Sequence, residues 1–154
     1  MTDAGLSTYP TKREFQRTQP FVAEGGAICK PDEAAQPRKD GPYPSGHTAI
    51  RWTWALILVE LDPAWENTIL ARGRSCMESH VICNVHWLSD TEAGAMMGST
   101  IFARLQDEPE LPADLKAARA EGRPCPRLGP SSHTQLRCRS SVVGIHTAHF
   151  TLNV

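Results

Sequence analysis

His47-Thr48-Ala49-Ile50-Arg51-Trp52-Thr53-Trp54-Ala55-Leu56-Ile57-Leu58-Val59-Glu60-Leu61 runs without glycine or proline, and Ile, Trp, Leu and Val fall on nearly every side of it. That pattern predicts a buried helix over 47–61, ended by Asp62-Pro63. Downstream, a second helical stretch is expected from Trp65 to Arg72, with Gly73 as an interruption before Cys76 to Val85. Ser89 followed by Glu92 has capping-box spacing. A third helix is therefore expected to begin near Asp90 and to run through Met97 and Phe102 to Leu105, closed by Pro109 and Pro112. Lys116 to Glu121 adds a short amphipathic turn. Upstream, a short helix around Lys12 to Thr18 is stopped by Pro20, and the Gly/Pro-punctuated stretch to Gly41-Pro42 reads as a loop. The fold class is all-α.

Length and composition narrow the remaining choices. A chain of 154 residues is expected to form one domain with a core of its own. The formal net charge of −1, with 40% hydrophobic and 21% charged residues, gives no reason to expect nucleic acid or an anionic membrane as partner. The aliphatic run Ala55 to Val59 is far below the roughly 20 residues of a bilayer span, and Met1-Thr2-Asp3-Ala4-Gly5 lacks the basic and apolar regions of a signal peptide. Five cysteines without CxxC spacing indicate neither a complete disulfide framework nor a zinc knuckle. Cys83 is read as buried packing, and Trp52, Trp54 and Trp65 as core. From Arg123 to Val154 there is no Asp or Glu, but four Arg and three His. The expected organisation is a helical domain over 1–121 and an irregular or flexible tail over 122–154 that carries no catalytic residue, with His133, His146 and His149 as surface or structural histidines.

Two clusters carry the chemistry. Pro44-Ser45-Gly46-His47 places small residues at a helix start, where backbone N–H groups and the helix dipole favour an anion and Gly46 allows close approach. Some forty residues later, Ser79-His80-Val81-Ile82-Cys83-Asn84-Val85-His86-Trp87-Leu88-Ser89-Asp90 supplies a histidine with a carboxylate four residues on, which share a face if that turn is helical. His86 could then attack phosphorus through one ring nitrogen while Asp90 accepts a hydrogen bond from the other. His47, beside the phosphate floor, could protonate the leaving alkoxide and then activate water.

These residues, with Lys39-Asp40-Gly41-Pro42-Tyr43 ahead of them and Glu78 at the second cluster, resemble the type 2 phosphatidic acid phosphatase superfamily, and within it the bacterial class A non-specific acid phosphatases. The resemblance covers roughly residues 10 to 121. It implies a helical bundle core, N-terminally truncated because the family has further helices upstream. It also implies metal-independent hydrolysis of small phosphomonoesters through a phosphohistidine, a periplasmic location, and no cofactor. By position, His86 is the nucleophile, Asp90 its orienting partner, His47 the general acid, and Ser45 and Gly46 phosphate binders, with Lys12 matching the lysine of the first motif.

Two positions depart from the pattern. Where the first motif reads Lys-x6-Arg-Pro, Lys12 is followed by Gln19-Pro20; where the third begins Ser-Arg, the chain has Ser79-His80. Bidentate arginine contacts contribute about 1.5–3 kcal/mol each, so losing two that act on the transition state costs about two to four orders of magnitude in rate. Gln19 brings no charge and His80 brings one only when protonated, while Arg13 or Arg17 could compensate. Ser79, His80 and Gln19 complete the expected phosphate-binding set. The competing expectations are a catalytically impaired relic that binds phosphate, a metal-dependent hydrolase with His47, His86 and Asp90 as ligands, and a vanadate-dependent haloperoxidase-like protein.

Overall fold

The computed structural model describes residues 2–34 and 41–121. Eight α-helices follow one another among them: α1 (Thr2–Leu6), α2 (Tyr9–Phe15), α3 (Pro20–Ala23), α4 (Pro31–Ala34), α5 (Gly46–Leu61), α6 (Glu66–Ile82), α7 (Leu88–Gln106) and α8 (Glu110–Glu121), with a 3-10 turn at Pro63–Trp65 between α5 and α6. No strand occurs among the described residues, so the all-α expectation holds. The expected tail and its three histidines lie outside them.

The centre of the molecule is the contact between α5 and α7, and small residues make it close. Ala49 and Thr53 of α5 and Thr91, Gly94 and Gly98 of α7 are buried. A Cβ on Gly94 would lie 2.5 Å from the Ser45 carbonyl oxygen, and one on Gly98 would lie 2.6 Å from that of Ala49. The Thr53 hydroxyl spans the same gap, 2.8 Å from Ala49 O and 3.0 Å from Gly98 O. Asp90, Gly94 and Gly98 recur every four residues, so one face of α7 carries both the contact with α5 and the site carboxylate. The Ser45 N–H donates to Asp90 O at 2.8 Å, which ties the start of α5 to the start of α7.

Several sequence expectations need correction. Helix α5 is not buried all round: its small and hydroxylated residues face inward, while Trp54 and Leu58 are exposed. Trp65 is exposed too, and only Trp52 of the three tryptophans packs as expected, its ring 3.1 Å from the Cβ position of Gly73. That contact is why Gly73 does not interrupt α6. The loss of helix propensity, about 1 kcal/mol, is offset by packing against an indole that a side chain would push away. The N-cap of α7 is Trp87, not Ser89; the Asp90 carboxylate accepts from the Trp87 N–H at 2.9 Å. Pro112 lies inside the first turn of α8, where its missing N–H costs nothing, and α8 is three turns long instead of one. The helix expected at 12–18 ends at Phe15 because Gln16 turns left-handed (φ 39°), and a short α1 precedes it.

Cys29 and Cys83 form a disulfide, so Cys83 is a cross-link and not simple packing. It joins the end of α6 to the segment between α3 and α4.

Candidate active site

The second cluster is folded by the end of α6. After Ile82 the chain turns through Asn84, whose φ of 60° suits an asparagine, and the N–H groups of Val85 and His86 donate back to the His80 carbonyl at 3.2 and 3.3 Å. This return lays the His86 ring over that of His80, with centroids 5.5 Å apart and planes 28° apart. The His47 ring, on the first turn of α5, meets His80 edge-on at 6.0 Å. His80 therefore contacts both of the other imidazoles. His47 is exposed, whereas the His86 side chain retains 10% of its exposure.

His86 is engaged at both ring nitrogens. Nε2 lies 3.3 Å from Ser45 Oγ, a residue 41 positions earlier, and Nδ1 lies 3.4 Å from Asp90 Oδ2. Ser45 caps α5 by accepting from the Thr48 N–H at 3.3 Å and from the Thr48 hydroxyl at 3.0 Å. With its lone pairs so occupied, Ser45 directs its own proton at Nε2. The network thus assigns the proton of the ring to Nδ1, donated to Asp90, and leaves the Nε2 lone pair pointing at the start of α5. Gly46 opens that helix, its Cβ position 3.2 Å from the buried Thr8 hydroxyl, so the small residue there serves close packing.

Asp90 is fully buried and its oxygens are divided among three donors. Oδ1 accepts from Arg17 Nη1 at 2.8 Å; Oδ2 accepts from the Trp87 N–H and faces His86. A buried carboxylate is tolerated only when paired and hydrogen-bonded in this way. Arg17 also donates to Ser89 Oγ at 2.6 Å and lies over the rings of Trp87 (5.3 Å) and Tyr43 (6.0 Å).

The remaining expected residues are more spread. Lys12 donates from Nζ to Gly41 O at 2.6 Å, pinning α2 to the segment that leads into Tyr43-Pro44-Ser45. Gln19 caps α3 with extended backbone in a stretch stitched to the second cluster: Trp87 Nε1 donates to Thr18 O, and the Phe21 N–H to Asn84 O. Ser79 donates its hydroxyl to Cys76 O within α6. Of the two arginines proposed to compensate for the missing pair, Arg13 is exposed and Arg17 reaches the site, but it binds Asp90. The left-handed turn at Gln16 that brings Arg17 there has no signature in the sequence. Among the described residues, no group of three or more His, Cys, Asp or Glu side chains is placed to hold a metal ion.

The fold and this geometry define a class: an all-helical protein in which an imidazole–carboxylate pair faces the N-terminus of a central helix. The PAP2 superfamily matches residues 1–106, and the chain belongs to that superfamily. It is 41% identical over 120 residues to a non-specific acid phosphatase of Providencia stuartii, covering 77% of this chain and 48% of that protein. A non-specific acid phosphatase of Salmonella typhi is 40% identical over 115 residues (75% and 46%), and an acid phosphatase of Zymomonas mobilis subsp. mobilis 40% over 110 residues (71% and 42%). The chain spans just under half the length of these curated relatives.

Proposed function

We propose that the protein is an acid phosphatase that hydrolyses small phosphomonoesters without a metal, through a phosphohistidine at His86. The observation that carries this reading is the alignment Ser45–His86–Asp90, in which the His86 Nε2 lone pair points at the start of a 16-residue helix. The substrate phosphoryl group sits at that helix start, against the amides of Gly46 and His47, and the Ser45 hydroxyl turns its proton from His86 Nε2 to a phosphoryl oxygen, which frees the Nε2 lone pair. His86 Nε2 attacks phosphorus while Nδ1–H holds to Asp90, and His47 gives a proton to the departing alkoxide oxygen. His47 then takes a proton from water, whose oxygen displaces the histidine nitrogen from phosphorus, and inorganic phosphate leaves. Lys12, Gln19, Ser79 and His80 complete the phosphate environment, and residues 1–121 form the working domain. The similarity to acid phosphatases supports the same substrate class.

Gln19 and His80, standing where the family has arginines, favour a second reading in which the site binds phosphate but turns over slowly. The location we propose is the periplasm. The Cys29–Cys83 disulfide supports it, since such bonds persist in oxidising compartments. Among the described residues, no helix is long and apolar enough to cross a membrane.

A steady-state assay of the purified chain with a chromogenic phosphomonoester, with and without chelator and with acid-quench trapping, tests both readings. Chelator-resistant turnover that disappears in His86→Ala, with acid-labile phosphate on the protein, is the expected result. Phosphate binding without turnover supports the slow site. Chelator-sensitive turnover, or vanadate-dependent bromide oxidation, would overturn both.

A further inference from the structure

We propose that Arg17 is a positioning residue for the attacking imidazole, fixing Asp90 through one oxygen so that the other is held for the Nδ1–H of His86. Three observations carry it. Arg17 Nη1 is 2.8 Å from Asp90 Oδ1 and 2.6 Å from Ser89 Oγ, so it grips α7 at two neighbouring residues. Its guanidinium lies over the Trp87 and Tyr43 rings, one within the second cluster and the other directly ahead of the first. The segment Gly41–Tyr43 crosses it closely, with the Cβ position of Gly41 only 2.8 Å from the Arg17 backbone nitrogen. Such a guanidinium is held by its surroundings before any substrate arrives, and it satisfies Oδ1 of a carboxylate that water does not reach.

The chemical consequence runs through Asp90. With Oδ1 taken by Arg17 and Oδ2 braced by the Trp87 N–H, the carboxylate has one orientation, and that orientation meets His86. Without Arg17 the buried carboxylate loses its counter-charge and turns toward other donors. Nδ1 then loses its fixed acceptor, the Ser45 hydroxyl at Nε2 alone is left to favour the Nδ1–H form, and part of the ring population shifts to the other tautomer. A lysine keeps the charge but has one nitrogen where arginine uses a planar fork and an aromatic stack, so it restores only part of the arrangement. Arg17 does not touch the phosphoryl group in this scheme, which separates it from the clamp expected of Gln19 and His80.

The kinetic part of this inference rests on the phosphatase reading, and the spectroscopic part does not. Nitrogen NMR of the ring of His86, at a pH where it is neutral, should show the Nδ1–H form in the wild type and a mixture in Arg17→Gln, with Arg17→Lys retaining the Nδ1–H form. In the phosphomonoester assay, Arg17→Gln should lower kcat by about 10- to 100-fold with KM changed by less than about twofold, and Arg17→Lys should fall between. An unchanged tautomer in Arg17→Gln overturns the proposal, as does a rise in KM matched by weaker inhibition by inorganic phosphate, which would make Arg17 a phosphate ligand. If Arg17→Gln fails to fold, Arg17→Lys and Ser89→Ala carry the test: wild-type kcat in both overturns it. A wild type without turnover would remove the phosphatase reading and leave the tautomer measurement to decide the role of Arg17.

Discussion

Gly94 of α7 passes so close to Ser45 that a methyl group on its Cα would sit 2.5 Å from the Ser45 carbonyl oxygen. The start of α5 and the carboxylate-bearing helix are thus set by one backbone approach. Gly94→Ala must push α7 away from α5, and overpacking of this kind costs about 1–3 kcal/mol. The melting temperature should fall by about 4 °C per kcal/mol. Activity should fall with it, because the Ser45 N–H and the Asp90 carbonyl separate. Gly5→Ala is the contrast, since its Cβ would meet only the far end of the Ile50 side chain at 3.0 Å. It should leave melting within about 1 kcal/mol of the wild type, as measured by calorimetry.

Asp90→Asn should separate chemistry from folding. The amide fills the same volume, and its oxygen can still accept, but it brings an N–H₂ toward either Arg17 or His86, both of which are donors in the assigned network. If Asp90 fixes the tautomer of the nucleophile, kcat should fall by about two to four orders of magnitude, as for a triad carboxylate replaced by its amide. Breaking a buried pair also destabilises, though Arg17 is 37% exposed, so the loss should stay near the low end of roughly 1–3 kcal/mol. Circular dichroism melting beside the kinetics checks both numbers.

How much of this was legible beforehand depends on the range of the interaction. Helix α5 and its end at Asp62-Pro63 follow from local composition, and the four-residue spacing of His86 and Asp90 marks them as a pair; the turn between them is not helical, because Trp87 is extended and His86 precedes α7, so the two meet across the start of that helix. Local propensity counts Gly73 as a breaker, whereas in the fold it admits the Trp52 ring from another helix. Ser89 looked like a cap because the rule considers side-chain type, and the competing acceptor was the carboxylate one residue on. The pairing of Cys29 with Cys83 and the arrival of Arg17 at Asp90 depend on contacts 54 and 73 residues apart in the chain. No pattern within a single segment encodes them.

The Cys29–Cys83 cross-link closes a loop of about 55 residues, for which the chain-entropy relation gives about 4 kcal/mol of stabilisation. It also anchors the stretch in which the Phe21 N–H donates to the Asn84 carbonyl. Reduction with dithiothreitol, or Cys83→Ser with Cys29→Ser, should therefore lower the melting temperature by about 8–16 °C, taking 2–4 kcal/mol at roughly 4 °C each. Equal melting of the oxidised and reduced protein would show that the α6 end is held by its other contacts alone.

Arginine at positions 19 and 80 is the most direct probe of the proposed phosphate site. Gln19 lies in a segment fastened to the second cluster at Thr18 and Phe21, and His80 contacts the rings of both His47 and His86. Replacing both by arginine adds two permanent charges, each with a planar pair of donors, where one neutral amide and one titratable ring now stand. At about 1.5–3 kcal/mol for each contact made in the transition state, the double variant should gain about two to four orders of magnitude in kcat/KM. The two substitutions need not contribute equally. His80→Arg also removes the stacked imidazole beneath His86, so its gain alone should be smaller than that of Gln19→Arg, and the pair should exceed the product of the singles if both arginines grip one phosphate. Steady-state kinetics of the two singles and the double, each shown to be folded by its melting curve, decides this. Unchanged kcat/KM in a folded double variant would mean that neither position faces the phosphoryl group.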